Sequence, residues 1–120
     1  MEYDNWKPHT SPLPVENFSE IIARYPVVAV HFWAVWDRLD RRLDAILQEV
    51  HPEFDGEITF FSVDVDDEAN HQLCRHVNLL NIPALVCFLH GAWHETWIGV
   101  RSAEQHQEKF RQWCSTAQHQ

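Results

Sequence analysis

Seven residues in the first third of the chain, Val27-Val28-Ala29-Val30-His31-Phe32-Trp33, are apolar except for one histidine and rich in β-branched and aromatic types. The run is too short for a typical helix, and it lacks the polar alternation of a strand with one face in water. It reads as a strand buried on both faces, which requires a layer of structure on each side of a sheet. Helical periods flank it. Before it, Phe18, Ile21 and Ile22 share one face of a helix that begins near Asn17 and is stopped by Pro26. After it, Leu39, Leu43, Ile46, Leu47 and Val50 fall on one stripe of a helix over 37–50, with Arg38, Arg41, Arg42, Asp44 and Glu49 on the remainder.

The rest of the chain supplies partners for that strand. Residues 57–65 and 84–89 read as further buried strands, and 93–98 as the second arm of a hairpin turning at Gly91. A short helix is expected over 68–77. Ser102 with Gln105 three residues later is a capping box for a last helix, whose apolar face is Ala103, Phe110, Trp113, Cys114 and Ala117. The order helix, strand, helix, strand, helix, strand, strand, helix implies an α/β chain with a central mixed sheet and helices on both faces. Residues 1–14, with Pro8, Pro12 and Pro14, read as an extended N-terminal lead-in, and 15–117 as one domain.

Charge and cysteine usage narrow the function. Eighteen acidic residues against nine Lys plus Arg give a formal charge of -9. That balance repels nucleic-acid phosphates and anionic membrane surfaces, so neither is expected as a partner. No apolar stretch approaches the roughly 20 residues of a membrane span, and the polar N-terminus lacks the apolar core of a signal peptide. A cytoplasmic location is the resulting expectation. Cys74, Cys87 and Cys114 form no close pair, and three thiols leave one over in any bridging scheme, which is not a disulfide framework.

In order and spacing these segments resemble the thioredoxin family over about residues 15–114. The strand Val27–Ala34 runs through Trp36 into a helix, as the family's active-site strand does. Phe61-Ser62-Val63-Asp64-Val65-Asp66 is similar to the next strand. Asn81-Ile82-Pro83-Ala84 resembles the segment whose proline is cis and faces the redox site. His90-Gly91 matches the hairpin turn, and Ile98-Gly99 the glycine before the last helix. The resemblance implies a thioredoxin-like fold, a cis peptide before Pro83, and a substrate groove lined by Trp36, Val65, Ile82, Pro83, Ile98 and Gly99.

It does not hand over the chemistry. Where the family carries Trp-Cys-Gly-Pro-Cys, this chain has Trp36-Asp37-Arg38-Leu39-Asp40, so Asp37 and Asp40 replace both redox cysteines. Disulfide exchange needs a thiolate to attack and a second thiol to resolve the mixed disulfide, and a carboxylate does neither. His31 stands where the family often has a buried carboxylate, and Ser62 matches a lysine carried by some members. The chain is therefore expected to be a redox-inactive domain that binds protein or peptide, in an adaptor or chaperone-like role. The alternative is thiol–disulfide or peroxide chemistry through Cys74, Cys87 or Cys114.

Each candidate has a plainer reading beside the chemical one. Asp37 and Asp40 suit a general acid–base pair or half a metal site, but equally a helix N-cap followed by an acid at the third helical position. Pairs of Arg41 with Asp37 and with Asp44 would add to the helix. His31 suits a proton carrier beneath the aspartates, or a neutral, hydrogen-bonded core histidine. His71, Cys74 and His76 are metal-ligand types, yet only His71 and Cys74 share a face, and four closely paired ligands are absent. No metal, cofactor or catalytic residue is expected.

Overall fold

The computed structural model describes residues 5–120 of the chain. Among them five strands form one sheet: β1 (Ser11–Pro12), β2 (Val27–Trp33), β3 (Thr59–Asp64), β4 (Ala84–Leu89) and β5 (Ala92–Ile98). Their spatial order is β1-β3-β2-β4-β5. The apolar run β2 lies at the centre, parallel to β3 and antiparallel to β4, with Val30 level with Phe61 on one side and Val86 on the other. All seven of its residues are buried.

Alternation along β2 divides the core into two layers. Val28, Val30 and Phe32 pack with Ile21 and Ile22 of α1 (Phe18–Ile22) and Leu73 of α3 (His71–His76). Val27 and Ala29 pack with Leu43, Leu47 and Val50 of α2 (Arg38–Val50) and with Phe110, Trp113 and Ala117 of α4 (Ala103–Gln118). Burying each such large side chain contributes about 1.5–3 kcal/mol before entropy is counted. His31 has the parity of Val27 and Ala29, so it points toward α2.

Several boundaries differ from the sequence expectation, each for a local reason. The first helix is a 3₁₀ turn over Val15–Asn17 followed by the five residues of α1, and it closes well before Pro26 as Arg24 N–H turns back to Ile21 O. The third helix is likewise split, with a 3₁₀ turn at Glu68–Asn70 capped by Asp67 before α3. Strand β3 begins at Thr59 because Glu57 and Ile58 donate their N–H groups to Phe54 O and belong to the turn leaving α2. Residues 1–4 of the expected lead-in lie outside the described residues, and its second half packs on the sheet. Strand β1 pairs in parallel with β3, Leu13 N–H donates to Ser62 O, Ser62 Oγ donates to Thr10 O, and Thr10 and Leu13 are buried.

Two glycine-dependent points matter for the site. The β4–β5 hairpin turns through His90 and Gly91, both at positive φ, as a tight hairpin requires. A Cβ on Gly91 would lie 3.2 Å from Ala23 Cα, a tight contact in which the end of α1 would have to give way slightly. Ser102 and Gln105 form the expected reciprocal capping box at α4.

Candidate functional site

The site is built where β2 ends and α2 begins. Asp37 is the N-cap of α2, and its Oδ1 accepts from Leu39 N–H at 2.9 Å. That satisfies one of the donors a helix start leaves open. Asp40 lies three residues on and turns inward, with no exposed surface. Its Oδ2 accepts from Ala34 N–H at 3.1 Å, and its Oδ1 lies 2.7 Å from His31 Nε2. His31 is also fully buried, and its Nδ1 has no hydrogen-bond partner among the described residues.

The two aspartates therefore do different things. Asp37 caps at the surface, whereas Asp40 is locked to the central strand. Asp40 stands at the third helical position of α2, and the helix turns its side chain into the core. Leu39, expected on the buried stripe, is 42% exposed instead, and Asp40 and Asp44 take up buried positions on α2. Burial raises the pKa of the Asp40 carboxyl above 3.8, and the contacts with His31 and Ala34 pull it back, while Asp37 raises it a little. The Asp40–His31 contact holds one proton between an oxygen and a nitrogen, shielded from solvent. Neither side chain has any exposed surface.

Beside this sealed pair lies an open, apolar surface. Trp36 is half exposed, and its indole Nε1–H donates to Asp66 Oδ2 at 2.9 Å, which fixes the ring. The Ile82–Pro83 peptide is cis. Pro83 is buried, Ile82 and Val65 are half-buried, and Ile98 is 38% exposed. Gly99 N–H donates to Pro83 O at 2.8 Å, tying the end of β5 to the proline loop, and Val65 N–H donates to Trp33 O. Ile82 N–H is taken by the side chain of its neighbour, donating to Asn81 Oδ1 at 3.0 Å. The sequence reading named Asn81 in this segment but gave it no role, since an asparagine before Ile-Pro carries no pattern of its own. It also missed a groove of about 600 Å³ on the α1/α3 side of Ile98, bordered by Leu80, Trp93 and Phe88.

The thiols stand apart from the helix mouth. Cys87 is buried in β4 in the layer of α2 and α4, Cys114 is half-buried against that layer, and Cys74 packs into the opposite layer. Burial raises all three thiols, that of Cys114 to about 11, with Glu57 adding to the effect. At neutral pH they are protonated and poorly nucleophilic. His71 Nε2 contacts Val65 O, and His76 packs edge-on against Phe18, so neither joins Cys74 as a ligand. Among the described residues no group of three or more His, Cys, Asp or Glu side chains is gathered to hold a metal ion. No helix among them is long and apolar enough to cross a membrane.

Comparison with known families matches the thioredoxin model over residues 9–115. The chain belongs to the thioredoxin family. It is 28% identical over 87 residues to a thioredoxin of Mycolicibacterium smegmatis, covering 72% of this chain and 78% of that protein. It is 31% identical over 110 residues to protein disulfide isomerase-like 5-4 of Oryza sativa subsp. japonica, covering 78% of this chain and 22% of the rice protein. Among solved structures, the zinc-bound form of human ERp44 superposes with a TM-score of 0.73 at 25% identity, over 85% of this chain and 31% of ERp44. A thioredoxin from Halobacterium salinarum NRC-1 superposes at 0.74 with 19% identity, over 90% and 91% of the two chains, a likeness of fold alone. The chain thus spans most of the length of the thioredoxins but under a third of the disulfide isomerase-like protein and of ERp44. The thioredoxin match begins at His9, inside the segment read as a lead-in.

Proposed function

We propose that this thioredoxin-family domain is redox-inactive and binds an extended protein or peptide segment along the groove of Trp36, Val65, Ile82, Pro83, Ile98 and Gly99. One observation carries the reading. At the helix mouth the second motif position is a carboxylate whose two oxygens are both engaged in the core, by His31 and by Ala34 N–H, while an apolar surface beside it stays open. Chemistry has been replaced by packing on one side, and recognition surface remains on the other. An indole fixed at its nitrogen offers a large apolar contact at little entropic cost, as binding hot spots do. Asn81 holds the Ile82 N–H in the free chain, so an incoming strand has to displace that side chain to pair there.

Two measurements on the full chain test the proposal together. Insulin reduction with dithiothreitol is expected at the uncatalysed background, with an Asp37→Cys/Asp40→Cys variant run in parallel. Turnover by the wild type that disappears in a variant lacking Cys74, Cys87 and Cys114 would establish thiol chemistry instead. Titration with a broad panel of extended peptides is expected to shift the amide signals of Trp36, Ile82 and Ile98 and to change tryptophan fluorescence. A panel that leaves those signals unmoved would rule the groove out.

A further inference from the structure

The second half of α2 carries a cluster that the groove does not use. Asp44 is buried, and its Oδ1 accepts from the backbone N–H of His9 at 3.0 Å and lies 2.7 Å from His9 Nδ1. Its Oδ2 accepts from Gln48 Nε2–H at 2.8 Å. An ionised carboxylate can only accept, so the proton of the neutral His9 ring is on Nδ1 and a lone pair is left on Nε2. That Nε2 lies 3.1 Å from Nδ1 of His51, the residue that ends α2. The ring of His51 rests against Phe60, 4.4 Å between centroids. His9, Gln48, His51, Pro52 and Asp55 together line an open surface pocket.

Hydrogen bonding alone accounts for this arrangement in the free chain, with one proton between the imidazoles. The arrangement has a second property. Nitrogens 3.1 Å apart stand at the spacing of neighbouring ligands around a cation bound at about 2.0–2.1 Å. A carboxylate on the far nitrogen of a ligating histidine is the usual outer support of such a site, fixing tautomer and ring orientation and raising basicity. Asp44 supplies that support from a buried position, held in turn by Gln48.

We propose that His9 Nε2 and His51 Nδ1 form a two-imidazole site for one divalent transition-metal ion of the imidazole-preferring class. The metal takes the place of the proton between the two rings, which moves to Nε2 of His51 so that both imidazoles stay neutral, and water completes the coordination. With two protein nitrogens the site takes Cu2+ more tightly than Zn2+ and leaves Mg2+ and Ca2+ in solution. The bound ion would join the N-terminal segment to the end of α2, stabilising the folded chain by mass action. The site lies at the opposite end of α2 from Asp37 and does not depend on the groove.

Titration of the tag-free, metal-stripped full chain with CuCl2 and with ZnCl2 tests this, read by calorimetry and, for Zn2+, by imidazole nitrogen shifts. One equivalent is expected to bind, with the rings of His9 and His51 the first of the nine histidines to respond. His9→Gln and His51→Gln each remove this binding, Asp44→Asn weakens it about tenfold, and His71→Gln, away from the cluster, leaves it unchanged. Circular dichroism of each variant verifies the fold. Absence of a saturable one-equivalent phase overturns the proposal. So does binding that survives both His→Gln substitutions in folded protein, or first shifts at other histidines.

Discussion

Helix α2 makes the same contact twice, and the two copies have different fates. Asp40 meets His31 at 2.7 Å and Asp44 meets His9 at 2.7 Å, from positions four residues apart on one helix. At the first pair neither side chain has any exposure, whereas at the second the imidazole is 27% exposed and the carboxylate 3%. Chemistry and distance are shared, so access to solvent makes the difference. His31 comes from the central strand, with a layer packed on each side. His9 comes from an edge segment, where one flank of the ring looks outward. The inner pair is a lock, and the outer pair is a handle that another molecule can reach.

The largest expected effect falls on the lock. His31→Ala or Asp40→Ala leaves a buried polar partner unpaired and should destabilise the chain by about 3–5 kcal/mol in urea unfolding. His9→Ala should cost no more than about 1 kcal/mol, because Asp44 keeps Gln48 and the residue-9 backbone N–H. Equal losses at the two pairs would erase the contrast. The pH dependence sharpens it further. The folded pKa of Asp40 is raised above 3.8, so the native state holds this proton more tightly than the unfolded chain does. The stability it contributes is full below about pH 3.8 and is lost as pH rises through the folded value. The urea midpoint of the wild type should therefore fall with pH relative to Asp40→Asn over that window, and parallel profiles would refute the assignment. The smallest stability effect belongs to Trp36→Ala, within about 0.5 kcal/mol, while peptide-induced shifts at Ile82 and Ile98 should disappear.

Much of the fold was legible in the residues. The apolar run, with His31 its one polar residue, announced a strand covered on both faces, and the stripe of Leu43, Leu47 and Val50 announced the helix that covers one of them. The capping box at Ser102 placed the start of α4 at its residue. These signals are local, since each depends on residues within a few turns or one strand. What misled was a polar residue on a buried face. Asp40, Asp44 and His106 are all buried on helices, yet nothing in a carboxylate's or an imidazole's own sequence neighbourhood says that a partner waits across the core. His106, left out of the expected apolar face of α4, lies edge-on against Trp97 with its Nδ1–H donating to Ser102 O.

The candidate site divides in the same way. Aspartate at positions 37 and 40, and the presence of Trp36 and of Ile82-Pro83, are facts of sequence. That Asp37 caps while Asp40 locks, and that Asn81 occupies the Ile82 N–H, are facts of geometry.

Periodicity and the order of segments settled the layers and the strand that anchors them, because hydrophobic burial is written into spacing along the chain. Tertiary structure alone decided which titratable groups meet. His31 and Asp40 are nine residues apart, and His9 and His51 forty-two. Such contacts follow from how strands and helices stack, and the free energy of a charged or proton-sharing group is set by the neighbours and the water that the stacking leaves it.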